Sequence, residues 1–270
     1  MTDTVVALER AELDAFTDLY RSASPNVIEA AGLAVSNVGD AVVLAASRID
    51  VLALNRVLGF GLQAPVSDRL ISDVLSNLAE RGSPRFFIQV APVNGYDRVN
   101  ELLASRGIRH YNNWVRLSRA VSDIPADIPT DLDVRQIDRE SAGIFGEIVA
   151  AAFGYPTSVA ALPGQTVGRP GWRHYLAYAD GTPIASAAMY VSGDAAWFGF
   201  AATEAAHRNR GAQRALVIRR LADAAALGCS HVSVETAEDG VVKDAPSFRN
   251  LRRLGFAIAY TRPNYLWVRA

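Results

Sequence analysis

One order of elements runs twice along this chain, and it limits the fold more than any composition figure does. In the first half a helix-patterned stretch from Ser67 to Arg81 ends at Gly82, and a strand, ArgPhePheIleGlnVal, follows at 85–90. A second helix ends at Gly107-Ile108, and an aromatic strand, TyrAsnAsnTrpValArgLeu, closes the half at 111–117. In the second half a helix over 212–227 ends at Gly228, a strand follows at 231–236, another helix ends at Gly255-Phe256, and AsnTyrLeuTrpValArg closes at 264–269. The glycines stand 25 residues apart in the first half (82 to 107) and 27 in the second (228 to 255). Helix, glycine and strand alternate in any α/β protein. The shared Trp-Val-Arg endings favour a duplicated unit over that plainer reading.

Pattern supports each element. Ser67 can cap a first helical turn, and Leu70, Ile71, Val74, Leu75 and Leu78 share one face. In the later helix Ala215, Ile218, Ala222 and Ala225 make the expected stripe, widened by Val217 and Leu221. Gly82, Gly228 and Gly255 fall where a left-handed residue ends a helix. Between 172 and 203 three strands follow in hairpin order, turning at Asp180-Gly181 and at Ser192-Gly193-Asp194. The segment Val121–Thr130 holds two prolines and two aspartates without a helical period, which marks a linker between halves at 1–120 and 131–270. The expected class is α/β (α+β), a mixed and mostly antiparallel sheet flanked by helices.

Composition narrows the function. The 270 residues carry 27 basic and 28 acidic side chains, so a broad nucleic-acid or membrane-binding face is not expected. Half of the residues are hydrophobic, enough for a packed core. One cysteine excludes an internal disulfide framework, and His110, His174, His207 and His231 lack metal-ligand spacing. The acidic N-terminal stretch does not read as a signal peptide, and the apolar run 30–46 is broken by Ser36, Asn37 and Asp40. A soluble, cytoplasmic, reducing-compartment protein is expected.

The segment Thr203–Arg220 is the most informative for chemistry. It follows an expected strand, opens an expected helix, and holds arginines at 208, 210, 214, 219 and 220 with no acid after Glu204. A helix start offers unpaired N–H groups and partial positive charge, and Gly211 lets a ligand approach the backbone. That makes a pyrophosphate site or, equally, a solvated basic face. A second glycine motif, Gly59-Phe60-Gly61-Leu62-Gln63-Ala64, fits G-x-G-x-x-A, but Pro65 interrupts it and no acid ends the next strand near 89–91, so a dinucleotide site is not expected.

Arg208-Asn209-Arg210-Gly211-Ala212-Gln213 resembles the R/Q-x-x-G-x-G/A signature of the GNAT superfamily, the acetyl-CoA-dependent N-acetyltransferases. The surrounding elements agree over about 131–270, down to a second helix ending in Leu254-Gly255-Phe256. The resemblance implies a GNAT fold in tandem, with a degenerate first half whose 61–67 loop has no arginine and does not bind coenzyme. It implies acetyl-CoA as co-substrate, with backbone at Ala201, Ala202 and Thr203 along the pantetheine arm. The N–H groups of Arg208, Asn209, Arg210, Gly211, Ala212, Gln213 and Arg214 would cradle the pyrophosphate. The thioester would lie where the strands at 197–203 and 231–236 splay apart, its oxyanion met by backbone N–H near Ala202. Gln213 departs from the small residue usual there.

The same resemblance asks for a base and an acid. Glu235 and Glu204 are the carboxylates expected near the splay, Glu235 being equally readable as a surface residue. The position of the family's tyrosine is Leu251, leaving Tyr260 or Tyr265 as substitutes, or departure of the thiolate unprotonated. The family's cofactor asparagine corresponds to Asp244, with Ser247 and Asn250 as polar candidates nearby. Cys229 reads as a buried structural thiol. Residues 153–172, with Tyr155, Arg169 and Trp172, fall where the superfamily faces its acceptor. The expected reaction is acetyl transfer to a primary amine of a small molecule or peptide, with a homodimer allowed. The alternatives are a non-catalytic acyl-CoA-binding or regulatory protein, and a different donor such as succinyl- or propionyl-CoA.

Overall fold

The computed structural model describes residues 2–93, 96–125, 130–237 and 246–269. Its elements are α1 (Thr2–Arg21), α2 (Pro25–Ala31), β1 (Leu33–Val38), β2 (Ala41–Ala46), β3 (Arg56–Phe60), α3 (Asp68–Arg81), β4 (Arg85–Val90), α4 (Tyr96–Ala104) and β5 (Arg109–Ala120). They continue with β6 (Asp133–Gln136), α5 (Ala142–Phe153), β7 (Trp172–Ala179), β8 (Thr182–Ser192), β9 (Ala195–Thr203), α6 (Ala212–Ala226), β10 (His231–Ala237), α7 (Pro246–Arg253) and β11 (Ala257–Val268). The chain packs as two units: Met1–Val115 with Tyr260–Ala270, and Arg116–Ala259. The closing strand, read from sequence as part of the second half, is therefore grouped from Tyr260 onward with the first unit. Part of the expected linker, 126–129, lies outside the described residues.

In the first unit the strand order is β1-β2-β3-β4-β11. β3 and β4 run parallel, and β11 lies antiparallel to β4, from Asn264↔Gln89 to Val268↔Arg85. α3 forms as its pattern dictates: Ser67 Oγ accepts from Leu70 N at 3.1 Å, Gly82 ends the helix at φ 80°, and Ile71, Val74 and Leu78 are buried. These side chains join Val43, Val57, Phe60, Phe86, Ile88 and Tyr265 in one core. A buried polar cluster lies apart from that apolar set. Arg262 Nη1 donates to Glu9 Oε2 (2.9 Å) and Glu12 Oε2 (2.6 Å), and Arg56 Nη1 to Gln89 Oε1 (3.2 Å). Gln89 Nε2 in turn donates to Asn264 Oδ1 at 2.6 Å. Burying charge is costly, and mutual pairing of this kind offsets the cost.

The glycine motif after β3 is explained by packing. A Cβ on Gly59 would stand 2.5 Å from Leu13 Cδ1 and 2.9 Å from the Asp40 carbonyl. Gln63 N in the following loop donates to Asp40 Oδ2 at 3.1 Å, so a carboxylate already occupies an N–H that a phosphate would need.

The second unit orders its strands β10-β9-β8-β7-β6, antiparallel except for β9 with β10. Asp180 (φ 50°) and Gly181 (φ 77°) supply the left-handed pair that closes β7 onto β8. Beside β9 sits an aromatic cluster. Trp172 stacks on Phe200 (6.0 Å) and on His174 (5.4 Å), and Phe145 meets both Phe200 and His174 edge-on.

The buried face of α6 differs from the expected stripe. Ala212, Leu216, Val217, Ile218, Arg220, Leu221 and Ala224 are buried, while Ala222 is exposed and Ala215 and Ala225 only partly covered. The seam is rotated because Arg220, counted as polar in a periodicity, is one of its members. Among the described residues no helix is long and apolar enough to cross a membrane.

Candidate active site

The site begins with a defect in β9. Ser186 pairs with Ala202 but Ala188 pairs with Gly199, so β9 holds one more residue than β8 across that interval. Phe200 takes φ 49°, which makes the extra residue a bulge. Gly199 is required beside it, because a Cβ there would fall 1.8 Å from the Trp197 ring. Ser186, buried in β8, donates to the Phe200 carbonyl at 3.1 Å and pins the bulge.

The bulge coincides with the parting of the parallel pair. β10 is registered with β9 from His231↔Ala195 to Val234↔Phe198 and no further, although β9 continues to Thr203 and β10 to Ala237. The backbone of residues 199–203 is thereby released from its neighbour on that side, which is where the sequence reading expected the strands to separate.

After β9 the chain turns through Asn209 (φ 65°) and Gly211 (φ 84°) into α6. No side chain caps this helix, and its first internal bond is Ala215 N to Gly211 O at 3.0 Å. The N–H groups of the first turn are left free of a cap, and nothing lies within 4 Å of where a Cβ on Gly211 would stand. The turn opens on a cleft of about 710 Å³. Ala201, Ala202, Thr203, Arg208, Asn209, Gly211, Ala212, Gln213, Arg214 and Asn250 all line it, matching the residues picked from sequence.

Arg210 does not line the cleft: its Nη2 donates to Asp131 Oδ2 at 2.7 Å, a pairing that holds the Asp131 carboxyl below its usual range. Arg219 is likewise turned to Asp223, at 3.0 Å. Of the arginine run, Arg208, Arg214 and Arg220 line the cleft, and Arg214 Nε is buried without a hydrogen-bond partner.

Gln213 does not crowd the helix start. Its Nε2 donates to Ser247 Oγ (2.7 Å) and its Oε1 accepts from Asn250 Nδ2 (2.9 Å), so the side chain ties α6 to α7.

The expected proton-transfer residues fare differently. Glu235 and Glu204 are absent from the cleft lining among the described residues. Glu235 faces the buried Arg116 at 3.5 Å, and Glu204 stands exposed, 3.8 Å from His207. Leu251, at the tyrosine position, is buried. The hydroxyl of Tyr260 donates to Glu9 and that of Tyr265 to Asn100 (2.6 Å), both within the first unit. Asp244 lies outside the described residues. Cys229 is buried, and burial pushes its thiol up.

Trp172, read as an acceptor contact, is instead 2 % exposed inside the aromatic cluster. Phe153, half exposed and 5.9 Å from the Tyr155 ring, lines the cleft in its place. Sequence reasoning also missed His207, Ser186 and Arg253. Ser186 was detectable as a polar residue within the small apolar run IleAlaSerAlaAlaMet at 184–189.

No protein-family model matches the sequence, and no curated protein matches it. Solved structures do. A GCN5-related N-acetyltransferase from Kribbella flavida superposes with a TM-score of 0.66 at 16% identity, over 97% of this chain and 94% of that one. One from Sphaerobacter thermophilus gives 0.61 at 16% identity, over 85% and 80%. A tandem GNAT protein from the clavulanic acid biosynthesis pathway gives 0.57 at 15% identity, over 92% and 85%. With the bulged strand, the parted parallel pair and the uncapped glycine-led helix, these likenesses show that the chain has the GNAT fold.

Proposed function

We propose that the chain transfers an acetyl group from acetyl-CoA to a primary amine of a small molecule or a peptide. The observation that carries this reading is the uncapped start of α6 opening on a cleft of about 710 Å³ beside the unpaired backbone of β9. The free N–H groups at the helix start hold the diphosphate, with the guanidinium groups of Arg208 and Arg214 beside them. The edge of β9 at Ala201, Ala202 and Thr203 offers backbone partners to the pantetheine amides. The thioester supplies the activated acyl group, and the Ala202 N–H meets the carbonyl oxygen as it gains charge.

The amine must lose a proton. Glu235 and Glu204 serve this step through water, since neither lines the cleft. His207, which does line it, is a third acceptor.

A second reading, binding of acyl-CoA without transfer, is favoured by the buried Leu251 in place of a hydroxyl and by the position of both carboxylates. Titration calorimetry with acetyl-CoA is expected to give one site per chain. Arg208→Ala with Arg214→Ala weakens it by about ten-fold or more, whereas Arg210→Ala changes it by less than about three-fold. Absence of binding sinks both readings. Binding with no thiol release across a broad amine panel leaves the second.

A further inference from the structure

Arg220 is 2 % exposed, yet it lines the cleft. Its Nε donates to Leu216 O (3.1 Å), its Nη1 to Ala188 O (3.0 Å), and the guanidinium lies 4.4 Å over the Phe198 ring. Nη2 has no hydrogen-bond partner among the described residues, and no carboxylate stands within ion-pair distance. The neighbouring acid on the same helix, Asp223, is engaged by Arg219 and by the Tyr175 hydroxyl. Burial without a counter-charge pulls the guanidinium down to about 9. A buried cation in this state is costly unless a ligand completes it.

The coenzyme's own phosphates do not complete it. They are assigned to the helix start, and the Arg220 Cα stands eight residues further along α6, about 12 Å at roughly 1.5 Å per residue, its guanidinium reaching back only to the Leu216 carbonyl, still more than a turn from that start. Its ring contact, Phe198, is the last residue of β9 registered with β10, directly before the parting. On the acyl-CoA reading, the group that points toward this parting is the acyl chain.

We propose that Arg220 is a specificity-determining residue that receives the free carboxylate of a dicarboxylic acyl thioester, the succinyl type of donor. This rests on the acyl-CoA reading of the cleft given above. Acetyl-CoA fills the same cleft and leaves Arg220 without a counter-charge. In the transfer a C–N bond forms to the amine and the thioester C–S bond breaks. One proton passes from the amine to the departing sulfur, and the distal carboxylate stays ionised against Arg220 in the amide product.

The test compares binding of CoA, propionyl-CoA and succinyl-CoA to the wild type, Arg220→Met and Arg220→Lys. Succinyl-CoA is expected to bind the wild type about ten-fold or more tighter than propionyl-CoA. Arg220→Met abolishes that ratio without weakening propionyl-CoA, and Arg220→Lys retains part of it. Equal binding of the two thioesters by the wild type, or a ratio unchanged in Arg220→Met, overturns the proposal while leaving the acyl-CoA reading intact. Failure of CoA and both thioesters to bind overturns both. Should Arg220→Met not fold, the wild-type ratio decides alone. An Arg220-dependent preference for amino acids over the corresponding decarboxylated amines, with no preference among thioesters, places the carboxylate on the acceptor and refutes the donor assignment.

Discussion

Acid should loosen the second unit through His174, and the size of the effect follows from its surroundings. The ring is 1 % exposed, stacked on Trp172 and edge-on to Phe145. Thr166 donates its hydroxyl to Pro163 O, so its oxygen accepts from His174 Nε2–H at 2.8 Å, which fixes the neutral tautomer. Burial pushes the imidazole from 6.5 down to about 3. Above pH 6.5 neither folded nor unfolded chain binds this proton. Below it the unfolded chain does and the folded chain does not, until about pH 3. Stability is therefore intact above 6.5 and falls by about 1.4 kcal/mol per pH unit below it. Two units of acidification cost about 3 kcal/mol, a large share of an ordinary domain's stability. Urea unfolding of the wild type and His174→Gln, followed from neutral pH downward, isolates the effect, because other titrating groups cancel in the difference. The two stability curves should diverge below pH 6.5, the wild type falling more steeply. Parallel curves through that window would refute the reasoning.

Two further substitutions probe the helix start. Gly211→Ala places a Cβ at φ 84° in open space, so stability should drop by only about 1–2 kcal/mol while acetyl-CoA affinity falls by about ten-fold or more; calorimetry beside a melting curve separates the two. Gln213→Ala removes both hydrogen bonds to α7, at about 1–2 kcal/mol of stability by urea unfolding, and should not improve acetyl-CoA binding. A several-fold gain in affinity would mean that the glutamine obstructs the pyrophosphate.

Local rules were legible where one interaction decides the outcome. Ser67 and Gly82 bracket α3 as their chemistry requires, and Asp180-Gly181 closes a hairpin because both residues accept positive φ. The lining of the cleft at the start of α6 was legible because most of it rests on a short contiguous segment with a glycine at its turn. What failed was legible only through long-range contacts. The α6 seam was misplaced because an arginine occupies it. Arg210 looked like a phosphate ligand until Asp131, 79 positions earlier, engaged it. Trp172 was read as an acceptor contact because nothing in its neighbourhood announces that Phe200 will stack on it through a bulge.

The closing strand carries a consequence for biosynthesis. Gln89 Nε2 must wait for Asn264, 175 residues downstream, and Glu9 and Glu12 must wait for Arg262, although Arg56 already stands beside Glu12 and Gln89. On the ribosome the unit that starts first is thus completed last, with its closing strand and the Arg262 guanidinium missing while everything between is translated. A cut at 121–130 would leave residues 116–120 of the second unit on one piece and residues 260–270 of the first on the other, so the units cannot be separated as simple fragments of sequence.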